Sequence, residues 1–77
     1  MSKLPRMSGE ELLKVLANRF DCKLIKRDGS HITMLNLSVR PPKLFSFPVH
    51  HELKQGTLMH AVEDSGVGRA CFLEAVS

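Results

Sequence analysis

Apolar positions recur at helical spacing near both ends of the chain, and at strand spacing in three shorter runs between them. Ser8-Gly9-Glu10-Glu11 reads as a capping box, and Met7 with Leu12 occupies the two positions of a hydrophobic staple. Leu12, Leu13, Leu16 and Phe20 then share one face, which predicts a helix from about residue 9 to about residue 19. Cys22 to Arg27 and Ser30 to about Leu37 are rich in Leu, Ile and Thr, with Asp28-Gly29 between them as a hairpin signal. If Asp28 and Gly29 form a two-residue type I′ loop, Arg27 pairs with Ser30 and Lys26 lies directly across from His31. The second run is of mixed parity, Ile32 and Met34 one way and Leu35, Leu37 and Val39 the other. That predicts a bulge near Met34 or Leu35, or a strand covered on both faces.

Arg40-Pro41-Pro42 stops that ladder, and Phe45, Phe47 and Val49 alternate with Ser46 and Pro48 as in a half-buried third strand that Pro48 ends or places at an edge. From Gly56 to Ser65, the residues Leu58, Ala61, Val62 and Ser65 share one face of an amphipathic helix closed by Gly66 in the C′ role. Residues 69–77 are expected to add a short terminal helix carrying Phe72, Leu73 and Val76. The fold class is therefore α+β, in the order α-β-β-β-α, with a three-stranded antiparallel sheet packed by two helices. Residues 1–77 read as a single domain with residues 1–6 disordered.

The length of 77 residues and a hydrophobic content of 43% suffice for one small core, and no apolar run reaches membrane-spanning length. So short a chain buries only about 60% of its unfolded surface, so a binding partner would add usefully to its stability. Eleven Lys and Arg against eight Asp and Glu leave a net charge of +3, which favours polyanionic partners without dominating the chain. Lys23, Lys26 and Arg27 cluster in one strand, whereas Arg40, Lys43 and Lys54 fall in later loops; a solvated basic face is the plainer account of the same residues. Two distant cysteines and an N-terminus without an apolar core predict a reduced, cytoplasmic protein. Without a Cys-x-x-Cys pair, the four histidines make a poor structural zinc site, and no metal or cofactor is expected.

RNA cleavage needs few specialised groups: a base for the 2′-hydroxyl proton, cations for the phosphate, and an acid or water for the leaving oxygen. His31 can be the base, and a lysine directly across would favour its neutral form. Lys26, Arg27, Ser30 and Lys54 are the candidate RNA contacts, with Asp28 and Gly29 forming the turn. His50 is a candidate accessory group, although a solvated loop residue is the plainer reading of it and of His51. From this motif alone, a surface strand residue beside a turn is the plainer reading of His31. There is no G-x-S-x-G elbow, Walker loop, H-E-x-x-H or cluster of carboxylates for two magnesium ions, and Glu10, Glu11, Glu63 and Asp64 read as capping or solvated groups. Lacking Trp and Tyr, the chain has no platforms for stacking unpaired bases, and suits backbone and 2′-hydroxyl contacts as in double-stranded RNA-binding folds.

The helix Ser8-Gly9-Glu10-Glu11-Leu12-Leu13-Lys14-Val15-Leu16, the start Gly29-Ser30-His31 and the run from Pro48 through Gly56-Thr57-Leu58 together resemble the HicA family of toxins encoded beside HicB antitoxins. The resemblance implies a double-stranded-RNA-binding-like fold and an mRNA interferase in which His31 matches the catalytic histidine and Gly29 and Ser30 shape its turn. It also implies a HicB-like inhibitor. Three positions depart from the family pattern: Ile32 where many relatives carry a second histidine, Asp21 where a glycine commonly follows the first helix, and a long loop from Val39 to Lys43. A noncatalytic RNA-binding module, using the same basic surface, is the alternative function. A third is a degenerate toxin kept for protein contact through Met34, Leu35, Phe72 and Leu73.

Overall fold

The computed structural model describes residues 4–76. Its elements are α1 (Gly9–Arg19), β1 (Cys22–Asp28), β2 (His31–Asn36), β3 (Lys43–Pro48), α2 (Gln55–Asp64) and α3 (Arg69–Val76), which is the α-β-β-β-α order with the terminal helix added. The sheet is antiparallel in the order β1-β2-β3, so Pro48 both ends β3 and stands on an edge strand. Of the stretch 1–6 expected to be disordered, residues 1–3 lie outside the described residues, as does Ser77 of the expected helix over 69–77. Leu4 is buried in the core and Arg6 pairs with Glu52.

α1 starts where the sequence places it, because the cap is made entirely by local groups. The Glu11 amide donates to Ser8 Oγ at 3.1 Å, and the Ser8 amide donates to Glu11 Oε1 at 2.9 Å. Met7 and Leu12, the staple pair, are both buried. All three helices lie on one face of the sheet. α1 packs on β1, α2 on β3, and α3 touches both helices, with Phe20 and Phe72 stacked at 6.5 Å. Leu12, Leu16, Leu58, Val62 and Phe72 meet Ile32, Met34, Phe45 and Phe47 in the core. Each such side chain contributes about 1.5–3 kcal/mol on burial. Cys22 belongs to this core too, and burial, aided by Asp21, pushes its thiol up to about 11, so it stays protonated.

Two details of the sheet correct the sequence reading. First, the hairpin loop is Gly29-Ser30, not Asp28-Gly29: Asp28 pairs with His31, Arg27 with Ile32 and Lys26 with Thr33. Gly29 takes φ +60° while no described non-glycine residue has positive φ, which suits a type II′ turn with glycine first rather than type I′. Second, β2 itself is regular, with Ile32, Met34 and Asn36 buried in strict alternation. The bulge sits across from it in β1, where Leu24 pairs with Met34 but Lys26 pairs with Thr33, leaving Ile25 unpaired and half exposed. That extra residue inverts the parity of β1. Arg27 therefore projects on the helix side, opposite Ile32, while Lys26 and Asp28 share the open side with His31.

Candidate active site

His31 is the first residue of β2, exposed, and on the sheet face that none of the helices covers. Its cross-strand neighbours are Asp28 on β1 and Pro48 on β3. Lys26, expected directly across from it, stands instead opposite Thr33, a diagonal neighbour about 7–8 Å away between Cα atoms. The direct Lys26–His31 pairing is thus replaced by a looser arrangement, and Lys26 Nζ lies 3.6 Å from Asp28 Oδ2. At 65% and 77% exposure this ion pair is weak and easily exchanged for a bound anion. Ile32 is fully buried, and adjacent strand residues face opposite ways, so position 32 cannot supply a second group beside His31.

The hairpin is held from outside. Ser30 presents its carbonyl to the Val49 amide at 2.7 Å, which fixes the turn against the exit of β3. One residue further, the His50 carbonyl accepts from the Gly9 amide at 2.9 Å, and the Leu53 amide donates to the Met7 carbonyl at 2.8 Å. The segment after β3 is thereby stitched to the start of α1. Gly9 is needed for that approach, because a Cβ there would lie 2.5 Å from the Pro48 carbonyl oxygen and 2.8 Å from Val49 Cα. Between these elements, Ser8, Glu10, Val49, His50 and His51 line a cleft of about 240 Å³.

Arg27 and Lys54 behave differently from each other. Arg27 makes a two-pronged contact with Glu10 in the first turn of α1, Nη1 to Oε1 at 3.1 Å and Nη2 to Oε2. The bonded guanidinium holds the Glu10 carboxyl below the usual carboxylate range, and Glu10 raises Arg27 in turn. Lys54, exposed at the N-cap of α2, has no ion-pair partner among the described residues. His50 is exposed and is among the residues that line the cleft. No group of three or more His, Cys, Asp or Glu is placed to hold a metal ion among the described residues, and no helix there is long and apolar enough to cross a membrane.

Two residues that frame the site gave little warning in the sequence. Gly9 occupies the first position of a helix, where glycine is a poor former, and that mismatch was the available signal. Glu10 reads as an ordinary first-turn carboxylate, since its partner lies 17 residues away.

No curated protein and no solved structure gives a significant match to the chain. The profile of the family described as "HicA toxin of bacterial toxin-antitoxin" matches residues 9–67, which run from the tightly packed Gly9 through the hairpin and α2 to just past Gly66. Spanning most of the 77 residues and every element of the framed histidine, that match shows that the chain belongs to the HicA toxin family, the toxin partner of a cognate antitoxin.

Proposed function

We propose that the protein is an mRNA interferase, an endoribonuclease in which His31 acts as general base without a metal and a HicB-like antitoxin covers the site. The observation that carries this reading is the placement of His31: exposed on an uncovered face, beside a turn anchored through Ser30, with Lys26 on the same face. The imidazole takes the proton of a 2′-hydroxyl, the 2′-oxygen attacks the adjacent phosphorus, and the 5′-oxygen leaves with a proton from solvent or an acid such as His50. The products are a 2′,3′-cyclic phosphate and a 5′-hydroxyl. Lys26 offsets the charge that develops on the phosphoryl oxygens, and Lys54 holds a neighbouring phosphate. Ser30 offers its hydroxyl to the backbone beside the scissile bond.

Purified wild type and His31→Ala, both confirmed folded, should be compared on a defined RNA with and without EDTA. A positioned general base contributes about a hundred- to ten-thousandfold, so cleavage should fall by that factor in the variant and persist in EDTA for the wild type. A 2′-deoxy substitution at the cut site should abolish it. RNA retention without cleavage by both proteins would instead mark a noncatalytic binding module.

A further inference from the structure

Arg27 is turned toward α1 by the bulge at Ile25. In a regular β1 it would share the open face with His31; with one residue inserted it faces the helices. There it grips Glu10, whose chain neighbour Gly9 donates to the His50 carbonyl, while Val49 donates to Ser30. These contacts close a ring from hairpin to α1, from α1 to the 48–50 segment, and from that segment back to the hairpin. His31 follows Ser30 directly, so each link bears on its position in addition to its pairing with Asp28 and Pro48. Both members of the ion pair are nearly half exposed, so the pair contributes little to global stability. Its geometry is nonetheless specific, because a forked guanidinium fixes both distance and orientation of a carboxylate.

We infer that Glu10 and Arg27 are a positioning pair, locking the His31 hairpin onto α1, and that Arg27 is not a phosphate contact. The inference rests on the ribonuclease reading above, and it assigns the pair an effect on turnover rather than on RNA affinity. A shift of about 1 Å at a reacting group can reduce rate about a hundredfold.

The test compares Arg27→Gln, Glu10→Gln and the double variant in steady-state cleavage of a defined RNA, salt-dependent RNA binding, melting temperature and amide exchange at Val49. Each single variant should lose about ten- to a hundredfold in kcat with KM, salt dependence and melting temperature close to the parent. The double should be no worse than either single, and Val49 exchange should quicken in all three. The inference is overturned if Arg27→Gln raises KM and lowers the salt slope by about one, while Glu10→Gln tightens RNA binding by freeing the arginine. Should the parent cleave no RNA, the functional reading fails by itself. Val49 exchange then decides the pair, faster exchange supporting it and unchanged exchange overturning it.

Discussion

The two ends of β2 are fastened to the helices by opposite means. At the far end, Asn36 is fully buried and donates to the Ser65 carbonyl at 2.7 Å, while its side-chain oxygen accepts from the Ser38 amide and hydroxyl at 2.9 and 2.6 Å. Ser65, also buried, donates its hydroxyl to the Val62 carbonyl and accepts from the Val67 amide. At the hairpin end the fastening is an exposed ion pair and a few backbone hydrogen bonds. A buried neutral network with every group satisfied specifies one packing, and removing a member leaves another unpaired away from water. An exposed pair is screened and exchanges with solvent, so it sets geometry at small energetic consequence. On the proposed ribonuclease reading a polymer must reach the open end, which leaves the closed end to carry the specificity of the fold.

The largest expected effect is at the closed end. Asn36→Ala strands the Ser65 carbonyl and should lower stability by about 2–3 kcal/mol in urea denaturation, with cleavage per folded molecule unchanged. A loss well under 1 kcal/mol would remove the contrast between the ends. Next comes Gly9→Ala, where a Cβ must push against backbone at Pro48 and Val49. Overpacking of this kind costs about 1–3 kcal/mol, and roughly 1 kcal/mol returns from helix propensity, leaving a net loss of up to about 2 kcal/mol. Unlike Asn36→Ala, it should also slow cleavage, because the segment that anchors Ser30 is displaced. Gly56 sharpens the point: nothing lies within 4 Å of a Cβ there, so Gly56→Ala should stabilise α2 by about 0.5–1 kcal/mol and leave cleavage alone.

What the sequence disclosed follows the range of the interactions involved. The cap of α1, the helical faces and Gly66 at φ +84° were legible because their determinants lie within four residues of each other. The hairpin was legible as a hairpin but not in register, since Asp28-Gly29 and Gly29-Ser30 are both acceptable two-residue loops and only the pairing distinguishes them. One residue of slip moved Lys26 off His31. The bulge was sensed through the mixed apolar parity of β2, yet it belongs to β1, because a parity mismatch between two strands does not say which one carries the extra residue. Asn36 and Ser65 are 29 residues apart, and an asparagine at a strand end reads locally as a turn residue. His31 was singled out through its motif as a candidate, whereas the contacts that hold its hairpin to α1 and to the 48–50 segment are long-range.

The smallest expected effect bears most directly on the open end. Glu10 titrates below its ordinary value of 4.5, chiefly because Arg27 donates to it. A carboxyl depressed in the folded state contributes its stability above the ordinary value and loses it as pH falls through the lowered one. The hairpin tie should therefore be intact at neutral pH and release only on the acid side of 4.5. With both groups exposed, global stability should barely register the change, whereas the Glu10 carboxyl carbon should report it in an NMR titration. In Arg27→Gln the midpoint should rise toward the ordinary value, while Asn36→Ala should leave it where it is in the wild type. Equal midpoints in wild type and Arg27→Gln would mean that the pair does not persist in solution. The hairpin would then reach α1 only through backbone, by the Ser30–Val49 and Gly9–His50 hydrogen bonds, and the open end would have no side-chain fastening to α1 to set against the buried one.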